Sequence, residues 1–290
     1  MQMDWIDTFL DLIDSGSFHR SAERLGVGQS TVSARIKALE ETVGARLLTR
    51  SRAGTRPTTA GLRFIPEARA LRRVWQGACR QARGSGAQAL TVHLGFQHDL
   101  VGDALGNWLL AFRSRLPETA VYVELDYSPQ MCANIETGTL DFAVMFTPRP
   151  LPDLHFVGLG ELRYQMMSTC AARLAEVTPD RYIRGNVAPA FAAAHRQALP
   201  GLEDAPLASG HAPAVASLLR AVGGSAYLPG AMAHRLQAEG VAQPVPDAPV
   251  LGQPVHAAML LSQRTRRLQS VLLAIARSQF DMLNTSAQTP

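Results

Sequence analysis

The apolar residues near the start of the chain repeat every three to four residues, and glycine interrupts this period three times. Segments 5–13, 18–25 and 29–43 each have the spacing of an amphipathic helix. One glycine follows each segment: Gly16, Gly26 and Gly44. Glycine readily adopts the left-handed conformation that ends a helix. Because only residues 26–28 separate the last two segments, the pattern predicts a helix-turn-helix.

A short hairpin and a long helix are expected to follow. Residues 47–58 have the pattern of two short strands around a turn, a wing that carries three arginines. Residues 59–83 have a helical pattern with six apolar side chains on one side: Leu62, Ile65, Leu71, Val74, Trp75 and Ala78. Pro66 lies inside this pattern and predicts a kink or an irregular stretch at 62–65. Because one helix cannot bury such a stripe alone, we expect a partner helix.

Charge is divided unevenly along the chain. Residues 20–86 hold 14 basic and 4 acidic side chains, whereas residues 87–290 hold 14 basic and 16 acidic ones. A basic segment joined to a slightly acidic body is typical of a polyanion-binding module attached to a domain that does not bind polyanions. Lys37 is the only lysine in the sequence. Phosphate contacts are therefore expected mainly from arginine, whose planar guanidinium binds phosphate bidentately.

The rest of the chain alternates strand-like and helix-like segments after a boundary at Gly84-Ser85-Gly86. Three strands are predicted first, at 90–95, 121–126 and 141–146. A helix is predicted at 100–115, and a second set of elements begins at residue 162. A helix at 264–280 closes the chain before a tail, 284–290, that we expect to be disordered. This alternation favours parallel sheets built from βαβ units, and an α/β fold overall.

Residues 9–61 resemble the winged helix-turn-helix of LysR-type transcriptional regulators. The matching positions are Phe9, Ser17, Phe18, Ala22, Leu25, Gln29, Ser30, Val32, Ser33, Ile36, Leu39, Glu40, Gly44, Leu47, Leu48, Arg50, Thr58, Ala60 and Gly61. Three positions depart from the family pattern: Ser21 replaces an alanine, Leu48 a phenylalanine and Pro57 a leucine. Within the family, this run, the Trp75 region and residues 188–191 are most similar to the branch of a flagellar-operon repressor.

The resemblance implies three domains. A winged helix-turn-helix would occupy residues 1–58, and a linker helix that mediates dimerisation residues 59–87. An effector-binding α/β domain similar to periplasmic binding proteins would occupy residues 88–284. It would contain subdomain I (88–162 and 264–284) and subdomain II (163–263), with crossings near Leu162 and Ser262 and a small effector bound between them. The resemblance further implies a homodimer or homotetramer that binds double-stranded DNA, and it allows RNA polymerase as a partner.

The third segment has the residue types that a recognition helix needs. Val32, Ile36 and Leu39 form its apolar edge, with polar or cationic side chains opposite and beside them. Glutamine pairs with adenine, arginine with guanine, and serine or threonine with base or phosphate. Arginines of a wing contact phosphates or the minor groove. We therefore expect DNA contacts from nine residues: Gln29, Ser30, Thr31, Ser33, Arg35, Lys37, Arg50, Arg52 and Arg56.

Loops at the carboxyl ends of the predicted strands are the candidate effector site, because ligands of open α/β sheets bind there. Eleven residues of these loops are candidates: Phe96, Gln97, His98, Asp99, Ser128, Gln130, Phe146, Thr147, Asn186, Ser209 and His211. Each of them is also explained singly as an ordinary turn or loop residue. His98 and His211 would favour an acidic effector, whereas Asp99 opposes one, so the identity of the effector stays open.

Catalytic and metal-binding patterns are missing from the sequence. It contains neither the histidine spacings of a metal site nor a nucleophile elbow, so we expect no metal, no cofactor and no catalytic residues. Cys132 and Cys170 suggest either a redox sensor or buried small hydrophobes. No spacing or basic neighbour indicates a lowered thiol pKa.

The expected location is the cytoplasm, without a membrane partner. The apolar stretches are shorter than a membrane span, and the N-terminus is acidic where a secretory signal would be basic. Two further functions remain as alternatives to a regulator. One is a cytoplasmic small-molecule-binding protein or enzyme with an accessory helical domain, and the other is a nucleoid-type architectural protein.

Overall fold

The computed structural model describes residues 2–51, 54–83, 90–101 and 104–286. The chain divides into two units, Met1–Ser85 with Glu136–Thr139 and Gly86–Ile135 with Leu140–Pro290. Three predicted features lie outside the described residues: the boundary at 84–86, the side chain of Arg52 and the last four residues of the tail.

Three short helices open the N-terminal unit. Its elements are α1 (Met3–Ser15), α2 (Phe18–Leu25), α3 (Gln29–Val43), β1 (Leu48–Ser51), β2 (Gly54–Pro57) and α4 (Thr59–Arg83). The glycines that follow α1, α2 and α3 have φ angles of 65°, 64° and 74°, so the three helices and their ends are confirmed. The apolar edges of the helices meet in one core: Ile6, Phe9, Leu12, Phe18, Ala22, Val32, Ile36 and Leu39.

The departures from the family pattern are accommodated locally. Ser21 is fully buried, and its hydroxyl lies 2.7 Å from the Ser15 hydroxyl, so the extra oxygen is hydrogen-bonded. Pro57 ends β2 opposite Leu48, which is buried. A wing residue without an N–H group is tolerated there because it closes the strand rather than interrupting it.

The wing is an antiparallel hairpin of β1 and β2, which confirms the predicted hairpin. Its base is held by Glu40 of α3, whose Oε1 accepts the N–H groups of Leu47 at 2.7 Å and Leu48 at 3.0 Å. Gly61 of α4 packs against the same turn, where a Cβ atom would collide with the carbonyl of Leu47. The wing is therefore fastened to both the helix before it and the helix after it.

Helix α4 differs from the sequence prediction in two ways. It is a continuous α-helix through Pro66, without the irregular stretch expected at 62–65. The predicted apolar stripe also differs in that Leu62 lies outside it and that its second half is exposed. Ile65 packs on the N-terminal core, whereas Val74 and Trp75 are 72% and 53% exposed. Leu71 lies nine residues after Leu62, and at 3.6 residues per turn this places the two leucines on opposite sides of the helix.

The C-terminal unit has seven helices and nine strands within the described residues. The helices are α5 (His98–Val101), α6 (Leu105–Arg115), α7 (Ser128–Thr137), α8 (Pro189–Ala198), α9 (Ala212–Val222), α10 (Gly230–Ala238) and α11 (Arg267–Ser286). The strands are β3 (Leu90–Gln97), β4 (Thr119–Asp126), β5 (Phe142–Met145), β6 (Leu154–Ser168), β7 (Tyr182–Gly185), β8 (Leu207–Ser209), β9 (Ser225–Pro229), β10 (Gln243–Pro244) and β11 (Leu251–Leu260). Four three-residue 3-10 turns complete it, at Leu174–Glu176, Pro179–Arg181, Pro200–Leu202 and Leu261–Gln263.

Two parallel strand groups are joined by a pair of long strands. The strand order is β4-β3-β5-β11-β6-β9-β7-β8, with β10 also paired to β6. Strand β3 is parallel to β4 and β5, and β7 is parallel to β8 and β9, as the predicted βαβ units require. The long strands β6 and β11 run antiparallel to each other, a pairing that the alternation of elements does not predict. The first group and its helices form subdomain I, and the second group forms subdomain II.

The second crossing between subdomains lies earlier than expected. Residues His256–Ala258 of β11 already pair with β5 of subdomain I, so the chain crosses near a bulge between Val255 and His256 rather than near Ser262. The first crossing lies within β6, which contains Leu162. The long strands β6 and β11 each belong to both strand groups.

The ends of several helices also differ from the sequence prediction. Within the helix predicted at 100–115, the described residues place the end of α5 at Val101 and the start of α6 at Leu105, and residues 102–103 lie outside them. The last helix continues to Ser286, so the first part of the tail expected to be disordered is helical. Among the described residues, no helix combines the length and the apolar composition that a membrane span needs.

Candidate DNA interface and effector cleft

The first turn of α3 presents polar side chains at the surface. Gln29, Ser30 and Thr31 are exposed, whereas Val32, which follows them, is completely buried. Gly28 is the N-cap residue and provides no side-chain acceptor. The turn therefore offers backbone N–H groups together with short polar side chains, a combination that suits a phosphate or a base edge.

Arg50 connects the wing to α3. Its Nη2 donates to Oγ of Ser33 at 3.0 Å, and its guanidinium carbon lies 3.5 Å from the centre of the Phe18 ring. This distance is well within the range of a cation–π interaction. Arg50 is held on an aromatic surface beside the first turns of α3, so its charge is directed to the same face as the predicted base-reading residues.

Arg35 faces the interior side of the unit instead of the solvent. Its Nη2 forms an ion pair with Asp4 Oδ2 at 2.9 Å, and its Nη1 donates to Thr8 Oγ1 at 3.3 Å. Only 22% of its side chain is exposed. The prediction that Arg35 reads a guanine does not fit this geometry, because its donors are turned towards α1. The helical period alone could not show which flank of α3 would meet α1.

Lys37 and Arg56 are placed at the surface, as expected of phosphate contacts. Lys37 lies 3.8 Å from Glu41 one turn later on α3, an exposed pair that contributes little to stability and separates readily. Arg56 is exposed on β2, where its carbonyl accepts the Thr49 hydroxyl. The supporting residues Phe18, Glu40 and Asp4 were missed as parts of this interface, because their contacts join residues distant in sequence.

A cavity of about 340 Å³ lies between the two subdomains of the C-terminal unit. Subdomain I provides the ends of β3 and β5 and the start of α7, and subdomain II provides the segment before α8. The lining residues are Gln97, Tyr127, Ser128, Pro129, Phe146, Thr147, Pro148, Arg149, Val187, Ala188 and Pro189. We call this cavity the effector cleft. The carboxyl ends of strands form its walls, as the rule for open α/β sheets predicts.

Three of the predicted effector residues form one hydrogen-bonded group on the subdomain I side of the cleft. Ser128 Oγ donates to Gln97 Oε1 at 3.0 Å and accepts the N–H of Thr147 at 3.1 Å. Gln97 and Ser128 are almost completely buried. The Thr147 hydroxyl is buried too and has no hydrogen-bond partner within the part of the chain that the structure describes. It is therefore able to bond with a bound molecule.

His98, Asp99 and His211 meet beside the cleft. Asp99 Oδ1 accepts the N–H of Ala212 at 2.5 Å, so a carboxylate of subdomain I caps the first turn of α9 in subdomain II. The rings of His98 and His211 have centroids 5.6 Å apart, and His98 also contacts Tyr127 at 5.3 Å. Burial raises the pKa of Asp99, while the Ala212 N–H and the His211 and His98 imidazoles act to lower it.

Several predicted effector residues do not line the cleft. Phe96 points into the core of subdomain I against Trp108, with ring centroids 5.1 Å apart, because side chains alternate along β3 and Gln97 takes the cleft side. Gln130 is exposed on α7 and donates to Asn134. Asn186 and Ser209 pair through their backbones at the ends of β7 and β8, and the Ser209 hydroxyl accepts the N–H of His211.

Sequence reasoning missed much of the cleft wall. Tyr127, Arg149 and the proline residues line it, and each lies within a few residues of a predicted strand end or candidate residue. Including the sequence neighbours of each candidate residue, whether polar or apolar, would have found them. A larger cavity of about 530 Å³ lies between α6, α10 and α11 and contains none of the predicted residues. Of these two cavities, the effector cleft is the one that predicted effector residues line.

The cysteines are all free thiols. Cys132 is buried, with its Sγ 3.6 Å from the sulfur of Met145, which fits the interpretation as a small hydrophobe. Cys170 is exposed and does not fit that interpretation. Among the described residues, no group of three metal-ligating side chains is brought together.

Comparison with known proteins assigns both units to the same family. The model of the bacterial regulatory helix-turn-helix protein, LysR family, matches residues 3–62, and that of the LysR substrate binding domain matches residues 85–281. HdfR, an HTH-type transcriptional regulator of Yersinia pestis, is 28% identical over 284 residues, covering 94% of this chain and 95% of its own. PtxE, a putative regulator of Stutzerimonas stutzeri, is 31% identical over 152 residues, which are 52% of this chain and 76% of its own.

Solved structures share the fold. ArgP from Mycobacterium tuberculosis aligns with a TM-score of 0.59 and 20% identity over 95% of this chain and 96% of its own. Full-length LysG from Corynebacterium glutamicum, with bound effector Arg, aligns with a TM-score of 0.52 and 21% identity over 97% and 98%. The predicted resemblance to LysR-type regulators, and to the HdfR branch, is confirmed. The chain belongs to the LysR family and is a DNA-binding transcriptional regulator with an effector-binding domain.

Proposed function

We propose that α3 enters the major groove of duplex DNA with its first turn towards the base edges. The observation that carries this proposal is the exposure of Gln29, Ser30 and Thr31 in the first turn of α3, while Val32, Ile36 and Leu39 of the same helix are buried in the core. Ser33 and Arg50 are joined beside this turn by a hydrogen bond. In this arrangement α3 reads sequence, and Arg50, Arg56 and Lys37 contact phosphates and set the position of the unit.

Ligand binding in the effector cleft regulates the protein. A ligand between subdomains I and II changes the balance between their arrangements to the extent that it binds one arrangement better than the other. The hydrogen bond from Ala212 to Asp99 joins the subdomains beside the cleft and is the contact that a change in closure would alter first. The protein thus acts by binding rather than by catalysis, with a small effector and without a metal or cofactor.

The assembly is a homodimer or homotetramer in which α4 meets a second copy through its exposed apolar face. Support comes from Leu71, Val74, Trp75 and Ala78, which are exposed at helical spacing. Two such units would recognise an inverted repeat near a promoter, where RNA polymerase is a partner. The protein works in the cytoplasm, without a membrane partner.

Footprinting of the full-length protein on the DNA upstream of its own gene tests the DNA interface. We expect a protected inverted repeat for the unaltered protein. Arg50→Ala and Arg56→Ala should weaken protection similarly on all sequences, whereas Gln29→Ala should change the preferred sequence. Arg277→Ala is the matched control, because Arg277 is an exposed arginine of α11 in the C-terminal unit.

The outcomes separate the alternative functions. Uniform coating of the DNA without a protected repeat would favour an architectural protein. An absence of DNA binding would favour a small-molecule-binding protein or enzyme with an accessory helical domain. Loss of binding in Arg277→Ala equal to that in Arg50→Ala would show that total charge, rather than the α3 face, determines affinity.

A further inference from the structure

Three polar side chains of the effector cleft can donate a hydrogen bond to a ligand. Ser128 already uses its hydroxyl hydrogen on Gln97 Oε1 and one lone pair on the Thr147 N–H. Gln97 therefore keeps its NH₂ group, and Thr147 keeps a buried hydroxyl with no partner among the described residues. Arg149 adds a guanidinium at the wall. The Gln97 NH₂ group and the Arg149 guanidinium can only donate, and the Thr147 hydroxyl can donate as well, so a ligand atom that accepts hydrogen bonds suits all three groups.

The charge at the cleft favours the same ligands as its hydrogen-bond donors do. Arg149 is the one charged residue among the described residues of the lining, and it is exposed in the segment between β5 and β6. Asp99 lies two residues beyond Gln97, but its Oδ1 is bonded to Ala212, and the rings of His98 and His211 lie beside it. Asp99 is not among the lining residues, so the charge that the described lining presents to a ligand is the positive one of Arg149.

The remaining walls are apolar and stiff. Pro129, Pro148 and Pro189 line the cleft together with Phe146 and Val187, and proline has a fixed φ angle. The volume of about 340 Å³ is at the lower end of the range for small-molecule sites, roughly 300–1,000 Å³. Such walls accept a compact hydrocarbon body and offer it few hydrogen bonds.

We infer that the effector is a small organic monocarboxylate with a compact apolar body. Its carboxylate accepts from the Thr147 hydroxyl, the Gln97 amide and Arg149, and its body lies between the proline residues and Val187. This inference rests on the proposed effector cleft and adds the chemical class of the ligand. Arg149 and Thr147 are its specificity-determining residues, because they provide the charge and the unused donor.

Calorimetric titration of the full-length protein with benzoate, benzamide and benzylamine tests the class. The three probes share a ring and differ in whether the polar end is anionic, neutral or cationic. We expect benzoate to bind about tenfold or more tightly than benzamide, since hydrogen bonds to a charged group are the stronger ones. Arg149→Gln and Thr147→Val should each lose most of this preference. Arg277→Gln, on the exposed side of α11, should keep it.

The titrations give different results if the ligand class is wrong and if the binding site is wrong. Tighter binding of benzylamine, or equal binding of all three probes, would overturn the carboxylate inference and leave the cleft as the site. Failure of benzoate, phenylacetate and hexanoate all to bind would overturn it as well. Pro189→Trp fills the cleft at an exposed position. Undiminished benzoate binding in this folded variant would place the site elsewhere and overturn both the inference and the proposed cleft.

Discussion

The arginines of the N-terminal unit differ in role because their guanidinium groups have different partners. Arg35 is paired with Asp4, Arg50 is bonded to Ser33 over the Phe18 ring, and Arg56 is exposed on the wing. The sequence predicted DNA contacts for all three, with Arg35 as a base-reading residue and the other two as phosphate or minor-groove contacts. Position on the fold separates a residue that fastens α3 to α1 from residues that face a nucleic acid.

Replacement of Arg35 by alanine should affect stability more than DNA recognition. Loss of the pair with Asp4, which is itself largely exposed, should lower the free energy of unfolding by about 1 kcal/mol or less. Ser33→Ala should instead weaken operator binding by about 1–3 kcal/mol and leave the melting temperature nearly unchanged. Thermal unfolding and operator titration of both variants measure the two effects.

Asp4→Asn is the matched control for Arg35→Ala, because it removes the same ion pair from the other side. Both variants should lose similar stability and keep operator affinity. If Arg35→Ala lost operator discrimination while Asp4→Asn did not, Arg35 would be a base-reading residue after all, and its contact with α1 would belong only to the DNA-free protein.

Asp99 should make stability depend on pH in the opposite sense to an ordinary salt-bridged carboxylate. Burial raises its pKa above the usual 3.8, against the opposing effects of Ala212, His211 and His98. A raised pKa means that the folded state binds the proton more tightly, so this group stabilises the fold as the pH falls and loses that contribution as the pH rises through its folded pKa. Asp99→Asn should therefore raise the melting temperature at pH 7 by a few degrees.

The gain in Asp99→Asn should shrink as the pH is lowered towards the usual pKa of a carboxyl group, because the aspartic acid then becomes neutral as well. Thermal unfolding of both proteins between about pH 4 and 8 checks this. Asp99→Ala, which removes the acceptor for the Ala212 N–H, should be less stable than Asp99→Asn throughout. A gain that grows on acidification would contradict the assignment of burial as the dominant effect.

At the scale of the element, α4 combines two functions along one helix. Its first half packs on the N-terminal core through Phe64, Ile65 and Ala68. Its second half exposes apolar side chains at Leu71, Val74 and Trp75. Leu71 and Trp75 lie seven residues after Phe64 and Ala68 and therefore on nearly the same side of the helix. Only the tertiary structure shows that the N-terminal core covers the first pair and leaves the second pair exposed.

Trp75→Glu should reduce the oligomeric state and weaken operator binding. A charge in an apolar helix–helix contact is costly to bury, and a regulator with a single reading helix loses the gain from binding two half-sites. Light scattering measures the mass, and footprinting measures the affinity. Leu62→Glu is the control, because Leu62 is 59% exposed on the opposite side of α4. Equal loss of oligomer in both variants would contradict an interface restricted to the second half.

Strand ends illustrate why only part of the effector cleft was predictable. The rule that ligands bind at the carboxyl ends of strands located Gln97, Ser128 and Thr147 correctly at the cavity. It could not decide which neighbours face the cavity, and it included the core residue Phe96 and the surface residue Gln130. Successive side chains of a strand point to opposite faces. An error of one residue in the predicted strand end therefore exchanges the side chains that face the cavity with those that face the core.

At the scale of the whole molecule, the uneven charge distribution predicts how operator binding depends on salt. The basic residues of 20–86 outnumber the acidic ones by 14 to 4, and arginines that contact phosphate release counterions from DNA. Operator affinity should therefore fall steeply between about 50 and 200 mM salt. Titrations across this range give the slope, and a flat dependence would contradict phosphate contacts by the wing.

Arg50→Ala and Arg56→Ala should each reduce the salt slope by about one phosphate contact. Arg35→Ala should leave the slope unchanged, because its guanidinium is paired within the protein. A reduced slope for Arg35→Ala would show that Arg35 contacts a phosphate in the complex.

The sequence by itself determined the local elements, the helix-turn-helix and the family. Helix periods, glycine ends and the recognition helix depend on residues three to four positions apart, and such signals are readable along the chain. Only the tertiary structure decided that Arg35 of α3 pairs with Asp4 of α1, that β6 and β11 join the subdomains, and that Asp99 caps α9. The last contact joins residues 113 positions apart. Partners so distant are selected by packing of the whole domain, because no period or spacing in the sequence relates them.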